Sequence, residues 1–229
     1  MTEPGVGVGT RPVDGVGEPV DDLRDEAFSA EVVASDLVYE GRVWDVRNDT
    51  LRYREGEIKR QYVDHPGASA IVALDADGRV LLIQQYRHPI RYRDWEIPAG
   101  LLDVDGESPL ETAKRELIEE ADLVASDWQP LVSVFTTPGG NDEVVHMFLA
   151  TGLSLVGHAH PREAEEADIR IEWVPLADAV AGVLEGRLRN GILATGVLAT
   201  AERLRRSAAE SPEGARPRAG GSGRSPLGH

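Results

Sequence analysis

Apolar positions between residues 28 and 207 recur with two different periods. Ser35–Glu40, Arg42–Arg47, Thr50–Arg54 and Glu57–Val63 alternate apolar and polar residues and are separated by turn formers. That is the pattern of strands with one wet face, and it predicts a small antiparallel meander over residues 28–66. Ala68–Leu74 and Arg79–Gln85 are more continuously apolar, and the turn residues Asp75-Ala76-Asp77-Gly78 between them predict a β-hairpin entering the core. Trp128–Thr137, Glu143–Ala150 and Ile169–Pro175 read as further strands. The spacing changes to three and four over Ser108–Ala121, Leu176–Glu185 and Asn190–Arg206, which predicts helices. A sheet interrupted by one helix and closed by two more predicts an α/β fold, the sheet sandwiched between helices.

The two ends lack either period. Residues 1–27 are rich in Gly, Pro, Val and acidic residues and read as a disordered leader. Residues 208–229, ending in GARPRAGGSGRSPLGH, read as a disordered tail. The main domain is therefore expected over 67–207. With 24 basic and 40 acidic residues the 229-residue chain carries a formal charge of −16, which opposes nucleic acid and anionic membranes. It has no cysteine, so disulfides, thiolate zinc sites and thiol catalysis are excluded. No apolar run reaches the roughly 18 residues of a membrane span, and the first residues lack a signal peptide's basic and apolar regions. A soluble cytoplasmic protein is the expectation. An acidic chain still binds a phosphorylated substrate if its carboxylates first gather divalent cations.

Such carboxylates stand in one stretch. Glu96-Ile-Pro-Ala-Gly100 leads through Leu-Leu-Asp-Val-Asp-Gly to Glu107, and Ser108 opens the first helix. Ser108 suits the N-cap, Pro109 the first turn, and Glu111 completes a capping box. Leu110, Ala113 and Leu117 form the apolar stripe, with Glu116 and Glu120 expected opposite it and Glu119 between them. Carboxylates four apart repel unless compensated. Either ion pairs, as in Glu111, Arg115 and Glu119, or a hard divalent cation supplies the compensation.

The segment resembles the Nudix box, G-x5-E-x7-R-E-U-x-E-E-x-G-U with U a bulky aliphatic residue. Gly100, Glu107, Arg115, Glu116, Leu117, Glu119, Glu120 and Leu123 fall in its slots. Two positions depart from it: one extra residue separates Gly100 from Glu107, and Asp122 takes the place of the second glycine. The resemblance implies a Nudix-type α/β/α sandwich whose N-terminal meander serves dimerisation. It further implies Mg²⁺, with Mn²⁺ as the alternative, bound by Glu116, Glu120 and the Ala99 carbonyl with Glu119 nearby. Arg115 would hold the acidic cluster in place. In related ADP-ribose hydrolases a glutamate of a late loop is the general base, which makes Glu165 the first candidate here and Glu166 the second. His158 and His160 in that loop read as surface residues, since no third nitrogen or sulfur ligand accompanies them.

Pro138, fifteen residues after Leu123, and the Pro-Gly-Gly turn before Glu143 resemble the ADP-ribose pyrophosphatase subgroup. So do His65-Pro-Gly-Ala, Gln85-Tyr86-Arg87 and Glu96-Ile-Pro-Ala-Gly100. By that resemblance Arg87, Glu96 and Glu143 are substrate-binding candidates, with Arg60 reaching the site from the partner of a homodimer. Trp44 fits either a purine-stacking or a core role. The implied reaction converts ADP-ribose and water to AMP and ribose 5-phosphate. The alternatives are another diphosphate (a nucleotide sugar, a dinucleoside polyphosphate or NADH) and a non-catalytic ADP-ribose-binding regulatory module.

Overall fold

The computed structural model describes residues 23–157 and 169–210. The greater part of the leader, the loop carrying Glu165 and Glu166, and the tail past residue 210 lie outside the described residues. Three sheets are present among those described. β1 (Glu31–Tyr39), β2 (Asp45–Tyr53) and β3 (Gly56–Asp64) form an antiparallel meander in the order β1-β2-β3. β4 (Ala68–Ala73), β7 (Ala99–Leu101), β8 (Leu123–Phe135) and β9 (Val144–Leu155) form a mixed sheet, β7-β4-β9-β8, in which β4 and β9 run parallel. β5 (Arg79–Arg87), β6 (Tyr92–Glu96) and β10 (Arg170–Pro175) form an antiparallel sheet, β10-β5-β6.

The helices cover both faces. α1 (Pro109–Ala121) packs Ala113 and Leu117 against Ile71, Leu81, Ile83 and Phe148. α2 (Leu176–Leu184) and α3 (Gly191–Glu210) pack Ala179, Leu193 and Val197 against Val72, Leu82 and Met147. Alternate residues of β4 and β5 thus enter opposite cores, which is why both strands are apolar almost throughout. α3 approaches β4 closely at Gly196, where a Cβ would lie 2.9 Å from Val72 Cγ2 and 3.0 Å from Ile97 Cδ1.

Three sequence expectations change. Ala68–Leu74 and Arg79–Gln85 do not form a hairpin: β4 and β5 belong to different sheets and share one bridge, Leu74 with Val80. The turn reverses the chain as expected, but each strand finds better partners farther along, β4 in β9 and β5 in β10 and β6. The segments Arg42–Arg47 and Thr50–Arg54 contribute to one strand, β2, so the meander has three strands rather than four. The stretch after Arg87 also contains β6 and β7, both too short to show a period.

The meander has little to hide behind. Val32, Val33, Leu37, Val38, Tyr39 and Trp44 are exposed, and every residue of β1 is open. Trp44, 44% exposed, is not a core residue of the single chain. β3 meets the rest of the chain at its end, where the Val63 N–H donates to the Gly140 carbonyl at 3.0 Å.

Candidate active site

α1 is built as its sequence dictates. Ser108 Oγ accepts from the Glu111 N–H at 3.3 Å, and the Glu111 carboxylate accepts from the Ser108 N–H at 2.9 Å, closing the capping box. At the other end Asp122 takes the left-handed conformation, φ 55°, in the slot where the Nudix pattern has glycine. Ser69 Oγ on β4 donates to the Pro109 carbonyl at 2.6 Å and fastens the first turn to the sheet.

This anchoring sets the acidic residues around β7. Glu120 is 6% exposed, so it points inward beside Ala113 and Leu117 instead of standing opposite them. The sequence expectation erred here because one flank of the apolar stripe faces β7, whose backbone offers a donor. Glu120 Oε2 accepts from the Ala99 N–H at 2.9 Å. Glu116 lies across Gly100, where a Cβ would fall 1.9 Å from its carboxyl carbon. A glycine is therefore required for the carboxylate to lie on this loop.

Arg115 gathers the outer carboxylates. Its Nη2 donates to Glu107 Oε2 at 3.0 Å and its Nη1 to Glu119 Oε2 at 3.3 Å and to Glu116 Oε1. Thr112 Oγ1 donates to the same Glu107 oxygen at 2.9 Å. These bonds, with Arg115 foremost, hold the Glu107 carboxyl below the usual range. The guanidinium is in turn pushed above its ordinary value by its hydrogen bond to Glu107 and by the charges around it.

Arg87 at the end of β5 and Glu96 at the end of β6 meet across the strand pair. Arg87 donates through Nε at 2.7 Å and Nη2 at 2.6 Å to the two oxygens of Glu96, and Gln85 Nε2 adds a bond at 3.3 Å. Glu96 is only 5% exposed, and its hydrogen bonding pushes the Arg87 guanidinium above its ordinary value. Sequence alone gives no sign that Gln85 partners Glu96. The two-residue period of β5 puts Gln85 and Arg87 on one face, but only the β5–β6 register brings Glu96 to them.

Glu143 sits elsewhere, on the loop between β8 and β9. Thr136 Oγ1 donates to its Oε2 at 2.5 Å, and His65 Nε2 lies 3.7 Å from its Oε1. The Pro138 turn beside it closes by the Gly140 N–H donating to the Thr137 carbonyl at 2.9 Å. Arg60, on β3, donates to the Lys59 carbonyl at 2.8 Å and is exposed. Among the described residues it makes no hydrogen bond or ion pair with the α1 carboxylates. Glu165 and Glu166 lie outside those residues.

The donor set suits a hard divalent cation. Burial pushes the Glu120 carboxyl up to about 8, with Glu116 and Glu96 adding to the rise and the Ala99 N–H and Arg87 opposing it. A carboxylate so crowded by others gains from a cation with oxygen preference, and the Ala99–Gly100 backbone lies beside it. Among the described residues no three such groups already converge on one point. Arg115 and the Ala99 N–H occupy the oxygens that would turn toward the ion.

The fold and this carboxylate helix match a single class. The NUDIX domain model fits residues 63–192, and the chain belongs to the Nudix family. It is similar to an ADP-ribose pyrophosphatase of Mycobacterium tuberculosis, 47% identical over 170 residues, which covers 74% of this chain and 82% of that one. An ADP-ribose pyrophosphatase of Bacillus subtilis is 34% identical over 157 residues, 68% of this chain and 83% of that protein. A solved ADP compounds hydrolase superposes with a TM-score of 0.64 at 20% identity, over 80% of this chain and 98% of its own, and shares the fold. No helix among the described residues is long and apolar enough to cross a membrane.

Proposed function

We propose that this protein is a homodimeric, divalent-metal-dependent hydrolase that converts ADP-ribose and water to AMP and ribose 5-phosphate, with Mg²⁺ as its ion. The observation that carries the reading is the buried Glu120 beside Glu116 on the Ala99–Gly100 backbone, braced by Arg115. The similarity to two ADP-ribose pyrophosphatases supports the choice of diphosphate. Glu116, Glu120 and the Ala99 carbonyl would hold the ion, with Glu119 at its edge. The ion when bound neutralises the diphosphate and polarises phosphorus.

The residues of the chain account for the rest. A water oxygen bonds to one phosphorus as the bridging P–O bond breaks, and the water's proton passes to a carboxylate oxygen of Glu165, or of Glu166 in its place. Arg115 keeps Glu107, Glu116 and Glu119 together. Arg87 has Nε and Nη2 committed to Glu96, so Nη1 is the donor available to a phosphate oxygen. Glu96 thus acts on substrate by fixing Arg87. Glu143, held by Thr136, would contact the substrate from the β8–β9 loop.

The dimer reading rests on the meander. An isolated three-stranded sheet with exposed valines, leucine and Trp44 gains stability by pairing with a second copy, which would carry Arg60 to the neighbouring site. The test is AMP formation by the native protein and its Glu120→Gln variant with ADP-ribose and Mg²⁺. Production by the native protein and near-complete loss in the variant is the expected result. Tight binding of ADP-ribose without AMP from either protein would replace the hydrolase with a sensor.

A further inference from the structure

Two adjoining pockets run along the edge strand β6, away from the carboxylate cluster. The first, about 310 Å³, opens at Arg87, Glu96 and Ala99 and ends at Asn190, the cap of α3. The second, about 270 Å³, shares Ile90 and Asp94 with the first. It continues to Tyr92 and Arg93 and to Arg187 and Arg189 of the α2–α3 loop. Together they make one trough leading outward from the candidate active site.

The charge in the outer pocket runs against that of the chain. In a protein of net charge −16 many arginines pair with carboxylates, as Arg47 does with Asp64, Arg79 with Asp75 and Arg205 with Glu202, while Arg42, Arg54, Arg60 and Arg91 have no ion pair among the described residues. Arg93 and Arg189 have no ion pair among the described residues, although they line a pocket. Arg189 lies over Tyr92, its guanidinium carbon 4.7 Å from the ring centroid. The contact holds the guanidinium against the ring and leaves N–H groups for an acceptor. Arg187 is paired at the rim with Glu185 at 2.8 Å. The wall also contains Asp94, whose carboxylate accepts from Asn190 Nδ2 at 3.0 Å and is turned to the helix cap.

We propose that the outer pocket is a subsite for a phosphate monoester, bound by Arg93 and Arg189. A guanidinium forks onto phosphate oxygens, and two unpaired ones beside a pocket match a dianion better than a neutral sugar. The position along the trough rests on the hydrolase reading, in which Arg87 at its inner end takes a phosphate oxygen of the diphosphate. The monoester then comes from one of two sources. It is an extra phosphate on the distal sugar of the substrate, or it is a free sugar phosphate such as the product ribose 5-phosphate.

The first measurement is titration calorimetry of the full chain with ribose 5-phosphate in EDTA, so that no cation at the carboxylates contributes. Native protein should bind, and the Arg93→Ala/Arg189→Ala variant, checked for native melting, should bind about tenfold more weakly or worse. No binding by native protein, or equal binding by both, would overturn the proposal. This arm stands even if the native protein fails to cut ADP-ribose. The second arm adds Mg²⁺ and compares ADP-ribose with ADP-ribose carrying a phosphate monoester on its terminal ribose. A tenfold fall in the variant's preference for the phosphorylated substrate assigns the subsite to substrate. Weaker inhibition of the variant by ribose 5-phosphate assigns it to the free monoester. Identical behaviour of native and variant proteins in both comparisons would sink the idea.

Discussion

Gly100→Ala separates the catalytic role proposed for the loop before α1 from its structural one. The new Cβ would fall 1.9 Å from the Glu116 carboxyl carbon and 2.0 Å from its Oε1. Non-bonded carbons sit about 3.5–4 Å apart, so the carboxylate must move by roughly 1.5–2 Å. The obstructing atoms are the end of a flexible side chain, and moving them costs about 0.5–1.5 kcal/mol of rotamer strain. The lost Arg115–Glu116 pair adds about 0–1 kcal/mol, and the stiffer unfolded chain returns about 0.4–1 kcal/mol. The net loss is about 1 kcal/mol, or some 2–4 °C in Tm for a domain of this size. Activity should fall far more, because about 1 Å of misplacement at a reacting centre costs on the order of 100-fold. Melting curves beside ADP-ribose turnover check both halves. Turnover within a few-fold of native, or a loss of more than about 10 °C in Tm, would refute the reasoning, the latter by locating the clash in the backbone.

Other perturbations test other parts of the structure. Arg87→Ala leaves Glu96, 5% exposed, without its counter-charge, and should cost about 2–4 kcal/mol in urea unfolding, less if Glu96→Gln is added. Asp122→Gly relieves a left-handed residue at φ 55° and should stabilise the protein by about 0.5–1 kcal/mol in the same assay. Gly196→Ala gains up to about 1 kcal/mol of helix propensity but meets the stiff Val72 at 2.9 Å, so overpacking of about 1–3 kcal/mol wins and Tm should fall. Glu120 has a folded-state pKa of about 8 against an ordinary 4.5, so it favours folding while protonated. In EDTA its contribution, of the order of a few kcal/mol, is complete below about 4.5, declines above it and is gone beyond about 8. Urea melts across that range should show the decline in native protein but not in Glu120→Gln.

Local chemistry made α1 readable. The capping box of Ser108 and Glu111, the Arg115–Glu119 spacing and the left-handed Asp122 all act within one or two turns, so neighbours in sequence specify them. The family resemblance rests on the same short stretch. The pairing of strands was less accessible. Nothing in residues 68–85 says that β4 will lie beside β9, more than 70 residues later, instead of beside β5. β6 and β7, at five and three residues, are too brief for any period to appear.

The order of apolar segments, the carboxylate set of α1 and the acidic, cysteine-free character of the chain were determined by sequence alone, because each depends on residue type and near spacing. The inward turn of Glu120 and the closure of Arg87 onto Glu96 were decided only in three dimensions. So was the exposure of Arg93 and Arg189 to a common trough. Each of these depends on a backbone donor, a strand register or a loop brought in from a distant part of the chain. Pairwise burial energies settle such choices jointly, and no single segment contains enough of them to decide by itself.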